Sequence, residues 1–243
     1  MILRRTGRFV LRAVYAVLVL VLMLGVLEFA ARALGLGEPV LYYNDAAGGM
    51  RPLPDQRIER MPGVAVTVDA LGYRSARPDT AGALRVLYLG DSVTWGGTRL
   101  DDAAIFPEVA AGVLRAEGMP VYAMNAGVNG TALVNHAERF RDGVDSVHAV
   151  VWLFPWSDAY RSYATVGPLW PARFRPRFAL VEAVDQVLFR FWLPAFRARR
   201  PSPDPFLRPD EPAGREAFFQ QVLADRKERN RAAARAVAAE ARR

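Results

Sequence analysis

The chain has no cysteine among its 243 residues. That excludes a disulfide framework, thiolate zinc sites, iron–sulfur clusters and a cysteine nucleophile. Histidine is almost as scarce: His136 and His148 are the two in the chain, too few to build a histidine-rich metal centre. Lysine occurs once, at Lys227, so the net charge of +7 comes from a composition skewed to arginine. No nucleic-acid motif accompanies that charge, and nucleic acid is not an expected partner. No phosphate-binding loop, dinucleotide fingerprint or metal motif occurs, so no cofactor is expected. What remains is ample for a core. With 52% hydrophobic and 23% charged residues, the chain falls among globular proteins, with room for one α/β domain and a short appendage.

The one long apolar run stands at the N-terminus. Residues 13–27, AVYAVLVLVLMLGVL, carry no polar group stronger than a tyrosine hydroxyl. Taken from Phe9, with Arg12 free to snorkel, the run is about 28 Å long as a helix and matches a bilayer core. Arg4, Arg5, Arg8 and Arg12 precede or enter it, and Glu28 is the first acid after it. The positive-inside rule then puts the N-terminus in the cytoplasm and everything beyond about residue 35 outside it. The expected location is the inner membrane, single-pass, with the domain external. Two alternatives stay open: a signal peptide cleaved near Ala31-Arg32-Ala33, or a buried helix of a soluble protein.

The rest of the chain divides by composition into a lead-in at 36–83 and a domain at 84–243, after the basic stub and anchor at 1–35. Residues 36–83 are rich in glycine, proline and polar residues and read as an extended linker with one short strand at 64–68. From 84 onward the periodicity alternates. Strands are expected at 84–89, 120–124 and 147–154, the last apolar enough to be buried on both faces. Helices are expected at 103–117, 131–142, 178–193 and 213–243, with Pro107 in a first turn. Strand, helix, strand, helix, strand with short connections predicts a parallel sheet flanked by helices.

Three polar turns follow those strands. The first, Gly90-Asp91-Ser92, puts a hydroxyl where ligands of open parallel sheets bind, beyond the carboxyl ends of the strands. On its own it also reads as a turn capping the next helix, since Asp and Ser are good N-caps. The second, Asn125-Ala-Gly-Val-Asn-Gly130, can offer a free backbone N–H at Gly130. The third, Pro155-Trp-Ser157-Asp158, is another polar cluster at a strand end. A serine nucleophile needs donors waiting where an oxyanion forms, and these turns are expected to share one rim of the sheet. The aromatics Trp152, Trp156, Tyr160, Tyr163 and Trp170 could line a sugar-binding cleft or simply pack.

In this order the blocks resemble those of the SGNH (GDSL-type) hydrolases. GDSVTWG, from Gly90 to Gly96, is similar to the family's nucleophile block, and NAGVNG, ending at Gly130, to its second block. VVWLFPWSD, ending at Asp158, stands in the place of the third. The upstream segment VDALGYRS, from Val68 to Ser75, looks like that of membrane-anchored bacterial members. The resemblance implies a three-layer, flavodoxin-like α/β fold. It implies a serine ester hydrolase or acyl transferase, plausibly acting on acylated surface carbohydrate. Ser92 would be the nucleophile, and the N–H groups of Ser92 and Gly130 would form the oxyanion hole with the Ser157 hydroxyl. Asp91 would shape the turn and Asp158 support the site.

Two departures bear on activity. Ser157 stands where the family has an oxyanion asparagine, and losing such a donor costs roughly 3 kcal/mol of transition-state stabilisation. The family's C-terminal Asp-x-x-His block, which supplies the base, has no counterpart after the third block: the one such spacing, Asp145 to His148, precedes it, and no histidine follows His148. His148 is expected at the opposite rim, and His136, in the helix after Gly130, lacks an obvious carboxylate partner. The expectation is therefore slow turnover by a chain that is C-terminally incomplete, with a non-catalytic glycan-binding or scaffold protein as the rival reading.

Overall fold

The computed structural model describes residues 2–45, 49–143, 147–155, 158, 161, 164, 166 and 174–192, with 224, 227–229, 231–236, 239 and 240. It is a mixed α/β structure in which an N-terminal helix, α1 (Ile2–Ala33), leads through four short strands into a parallel sheet. Within α1, Leu11–Ala33 is long and apolar enough to cross a membrane, with a mean hydropathy of 2.5, and its most apolar stretch is not buried among the described residues.

The segment expected to be a linker with one strand carries two antiparallel hairpins. β1 (Tyr42–Asp45) pairs with β2 (Gly49–Pro52), and β3 (Gln56–Met61) with β4 (Val64–Val68). β4 is the strand anticipated at 64–68. The other three are short and mixed in polarity, which hid them from a periodicity reading. Val40, Ile58, Val66 and Val68 nevertheless bury themselves around Trp95, so this segment has a core of its own.

The parallel sheet follows the anticipated order. β5 (Leu84–Leu89) lies between β6 (Val121–Asn125) and β7 (Ala149–Trp152), both parallel to it. Tyr88 sits opposite Asn125 and Leu89 opposite Trp152, so all three strands end at nearly one level. Alternation along β5 serves two cores. Val86 and Tyr88 pack with Ala111 of α3 (Phe106–Ala116), while Leu87 and Leu89 pack with Ala137 and Phe140 of α4 (Leu133–Gly143). Pro107 falls in the first turn of α3, where its missing N–H costs nothing. β7 departs from expectation: Val151 is 40% exposed, because β7 is an edge strand among the described residues. The helix anticipated at 178–193 appears as α5 (Ala179–Val187), which widens into a π-helical turn at Leu188–Trp192. Of the expected 213–243 helix, the described residues between 224 and 240 are helical, and Ala233 packs on the sheet core. The rest of it lies outside the described residues.

One buried side chain joins the hairpins to the sheet. The backbone of Arg74 bridges β4 at Val68 and β6 at Asn125. Its fully buried guanidinium pairs with Asp102 at 2.8 Å and donates to the carbonyls of Trp95 (2.9 Å), Leu100 (2.6 Å) and Gly97. It also lies over the Trp95 ring, 5.2 Å from the centroid. Asp102 is held on its other oxygen by the Thr67 N–H at 2.7 Å. Removing one partner of a buried, fully bonded ion pair leaves the other charge uncompensated. Arg74→Ala is therefore expected to lower unfolding stability by about 3–5 kcal/mol, read from urea titration of the detergent-solubilised chain. A loss below about 1 kcal/mol, the worth of a surface pair, would refute the hub.

Candidate active site

The level strand ends place three turns on one rim. The turn after β5 tightens at Gly90, where a Cβ would lie 2.6 Å from the Leu153 carbonyl and collide with Thr94. Asp91 then caps the short helix α2 (Ser92–Trp95) by accepting the Val93 N–H at 2.9 Å. Both readings of Gly-Asp-Ser thus hold together: Asp91 is a cap, and Ser92 is the exposed first residue of the helix it caps.

The turn after β6 is fitted against α2. The Asn125 side chain donates to the Thr94 carbonyl and accepts the Gly127 N–H, each at 2.9 Å. Gly127 approaches so closely that a Cβ there would sit 2.5 Å from the Trp95 nitrogen. The Val128 N–H reaches back to the Gly90 carbonyl at 3.2 Å. Gly130 follows with φ +74°. Among the described residues, the N–H groups of Ser92 and Gly130 donate to nothing, and the buried Asn129 Oδ1 has no donor.

The third turn enters through Asp158 and Arg161. Asp158 is fully buried and pairs with Arg161 at 2.7 Å. The same guanidinium nitrogen reaches Asp91 Oδ2 at 2.8 Å and the Thr131 carbonyl at 3.4 Å, so Arg161 ties all three turns together. Sequence reading passed over Arg161, although its i,i+3 spacing from Asp158 was a signal. Burial raises the Asp91 carboxyl, but the Val93 N–H and the Arg161 charge outweigh it and hold the group below the usual carboxylate range. Ser92 Oγ lies 3.4 Å from Asp91 Oδ2. Such a contact is long, to an oxygen already engaged and weakly basic, so Asp91 is no general base. Ser157, with Trp156, Tyr160, Tyr163 and Trp170, lies outside the described residues.

Both histidines are committed elsewhere. His148 Nδ1 accepts the Arg85 N–H at 3.0 Å, at the start of β7, the end of the sheet away from Ser92. His136 is buried on α4, where its Nδ1 faces the Trp152 indole N–H at 3.1 Å and its Nε2 faces Thr131 Oγ at 3.0 Å. An indole nitrogen can only donate, so Nδ1 is the acceptor and Nε2 carries the proton. Thr131 takes that proton's hydrogen bond and passes its own to the Val128 carbonyl at 2.8 Å. Trp152 is thereby assigned to packing, with its ring also edge-on to Phe154. Burial, aided by Arg139 and Arg161 and opposed by Asp91, pushes the His136 pKa down to about 4.

Comparison with known proteins adds little to this geometry. No family model matches the chain, and no curated protein does. Among solved structures it is similar to AlinE4, described as an SGNH-hydrolase family esterase. The identity is 22% and the TM-score 0.30, over 46% of this chain and 56% of that one. A serine-to-alanine mutant of the same esterase gives 20% identity and a TM-score of 0.28, over 63% of this chain and 75% of that one. An aspartate-to-alanine mutant gives 18% and 0.30, over 61% and 75%. The chain thus spans little more than half the length of the first of these. At such TM-scores the likeness has no bearing on activity, which has to be read from this chain's own residues.

The His136 arrangement has a measurable consequence. Between pH 6.5 and 4 the unfolded chain takes up a proton that the folded chain refuses. The associated stability is complete above pH 6.5 and is lost as pH falls toward 4, by up to roughly 3 kcal/mol. His136→Leu is expected to flatten that acid limb, measured as urea midpoints at pH 7 and pH 5. An unchanged limb would assign the pH dependence to other groups.

Proposed function

We propose that the chain is an SGNH-type ester hydrolase or acyl transferase with Ser92 as its nucleophile, held at the inner membrane by α1 with its domain outside the cytoplasm. The observation that carries this reading is an exposed serine opening a helix at the carboxyl end of the central strand, beside two N–H groups with no partner among the described residues. The helices α3 and α4, packed on opposite faces of the sheet, suit a three-layer, flavodoxin-like domain of that type. Acylated surface carbohydrate is the proposed substrate class.

In this mechanism Ser92 Oγ attacks the acyl carbon, and the tetrahedral oxyanion accepts from the Ser92 and Gly130 N–H groups and the Ser157 hydroxyl. Collapse expels the alcohol and leaves an acyl-serine, which water hydrolyses or an acceptor hydroxyl takes over. Asp91 and Asp158, tied by Arg161, keep the turns in register. The Ser92 proton needs an acceptor, and neither histidine offers a lone pair toward it. Ser92 is then a weak nucleophile at its ordinary pKa.

Purified full-length chain in detergent is therefore expected to turn over a small acetyl ester far below the ordinary enzyme value of about 10 per second. The remaining rate should be of the order of a thousandfold over water, come from the oxyanion hole and binding, and change little on Ser92→Ala. Turnover near the ordinary enzyme value that survives Ser92→Ala would overturn the nucleophile. Saturable binding of acetylated polysaccharide with no turnover would favour the second reading, a non-catalytic glycan-binding protein, for which the two engaged histidines speak.

Retention of α1 is supported by its contacts. Glu28 accepts the N–H groups of Ala179 and Leu180, at 2.9 and 3.0 Å, and so caps the start of α5. Arg32 donates to the Arg177 carbonyl at 3.2 Å, and Ala31 is buried. A cleaved signal would take this cap with it. A reporter that works only outside the cytoplasm, fused after residue 60, is expected to be active and to stay joined to α1 on gels. Activity of a cytoplasmic reporter at that position would reverse the orientation.

A further inference from the structure

The junction between α1 and α5 also bears on what covers α5. Helix α5 and its π-helical extension expose Val181, Val184, Val187, Leu188 and Phe191. Positions 181, 184, 188 and 191 follow the i, i+3, i+7, i+10 spacing of one helical stripe. They are not marginal: Val184 is 57% exposed and Phe191 68%. The opposite side is anchored in protein. Ala179 is buried, and the buried Glu182 accepts the Gly37 N–H at 2.6 Å and pairs with Arg60 at 2.7 Å.

Depth is set by Glu28. That residue lies five positions before Ala33, the end of the apolar span, which is about 7.5 Å along a helix. The first turn of α5 therefore sits at the level of the last turns of the span, where hydrocarbon gives way to headgroups. The apolar stripe, exposed among the described residues, starts at that level beside the last turns of α1. Arg175 and Arg177 are exposed just ahead of α5, at the level that Glu28 sets, where lipid phosphates would lie.

We infer that the Val181–Val184–Leu188–Phe191 face of α5 is a second membrane contact, lying in the interface of the bilayer that α1 spans, with acyl chains as its cover. The inference rests on the reading of α1 as a retained span. An amphipathic helix fixed beside a transmembrane one needs no separate binding affinity, because the span already holds it at the surface. Together the two elements fix the domain at two points, not one.

The absence of native cysteine allows a direct test. Single variants Val184→Cys, Phe191→Cys, Gln186→Cys and Leu22→Cys of the full chain are labelled with an environment-sensitive dye. They are reconstituted in vesicles of phosphatidylethanolamine and phosphatidylglycerol. Labels on the Val184→Cys and Phe191→Cys variants are expected to emit blue-shifted, to be quenched by doxyl lipids and to resist aqueous iodide. The label on Gln186→Cys, exposed but off the stripe, is expected to be quenched by iodide. Iodide quenching at Val184→Cys equal to that at Gln186→Cys would overturn the inference. Shielding from iodide without doxyl quenching would also overturn it, since protein would then cover the stripe; loss of that shielding on dilution in lipid would name a second copy. Leu22→Cys separates the two levels. Lipid quenching there without any at Val184→Cys sinks the inference alone, and none at either removes the anchor with it.

Discussion

The buried Arg74 guanidinium is the constraint on which the positions of the other parts depend. A guanidinium is a planar fork of five donors that stays charged in any protein interior. Here it has one carboxylate, three carbonyls and an indole face to satisfy it. The three carbonyls belong to the end of α2 and the loop beyond it, and the carboxylate holds β4 through Thr67. The position of Ser92 is therefore not set by β5 alone. It is fixed from behind by a residue of the lead-in segment, and residues 36–83 are part of the apparatus that holds the serine in place.

That dependence explains what could be read in advance. The three parallel strands, the polar turns after them and the helices between them were legible, because apolar runs of five or six residues and helical spacing leave a local signature. The strands at 42–45, 49–52 and 56–61 left none: YYND and GMRP do not alternate, and Tyr42 and Ile58 find their cover at Trp95, far along the chain. Val68 to Ser75 was recognisable as a motif, but that its arginine would be wholly buried depends on contacts about thirty residues away. Arg161 was missed for the same reason, since its meaning lies in meeting Asp91, seventy residues upstream. Ser92, Gly130, Asp91 and Asp158 were legible as strand-end residues, and Asn125 and Gly127, which press the second turn against α2, were visible only as members of a block.

His136 shows how burial can withdraw a group from chemistry. It lies close to the rim, on the helix after the Gly130 turn, and by sequence it was the nearer of two candidate bases. The indole of Trp152 occupies the lone pair that a base would need, and the Thr131 hydroxyl and Val128 carbonyl use the proton on the other side. The chain of hydrogen bonds runs from β7 through α4 to the second turn, so this imidazole holds the site's frame and does not act within it.

The cap that Glu28 places on α5 has a mechanical consequence. A domain joined to a membrane span through a flexible tether samples many heights and orientations, and its site sweeps a volume. Here the last turns of α1 share hydrogen bonds with the body through α5, so a span built on α1 would have no slack at the joint. In a bilayer-inserted chain, rotation of the span about its axis would turn the whole body with it. The rim bearing Ser92 would then ride at one altitude above the lipid, meeting only those bonds that a neighbouring molecule presents at that altitude.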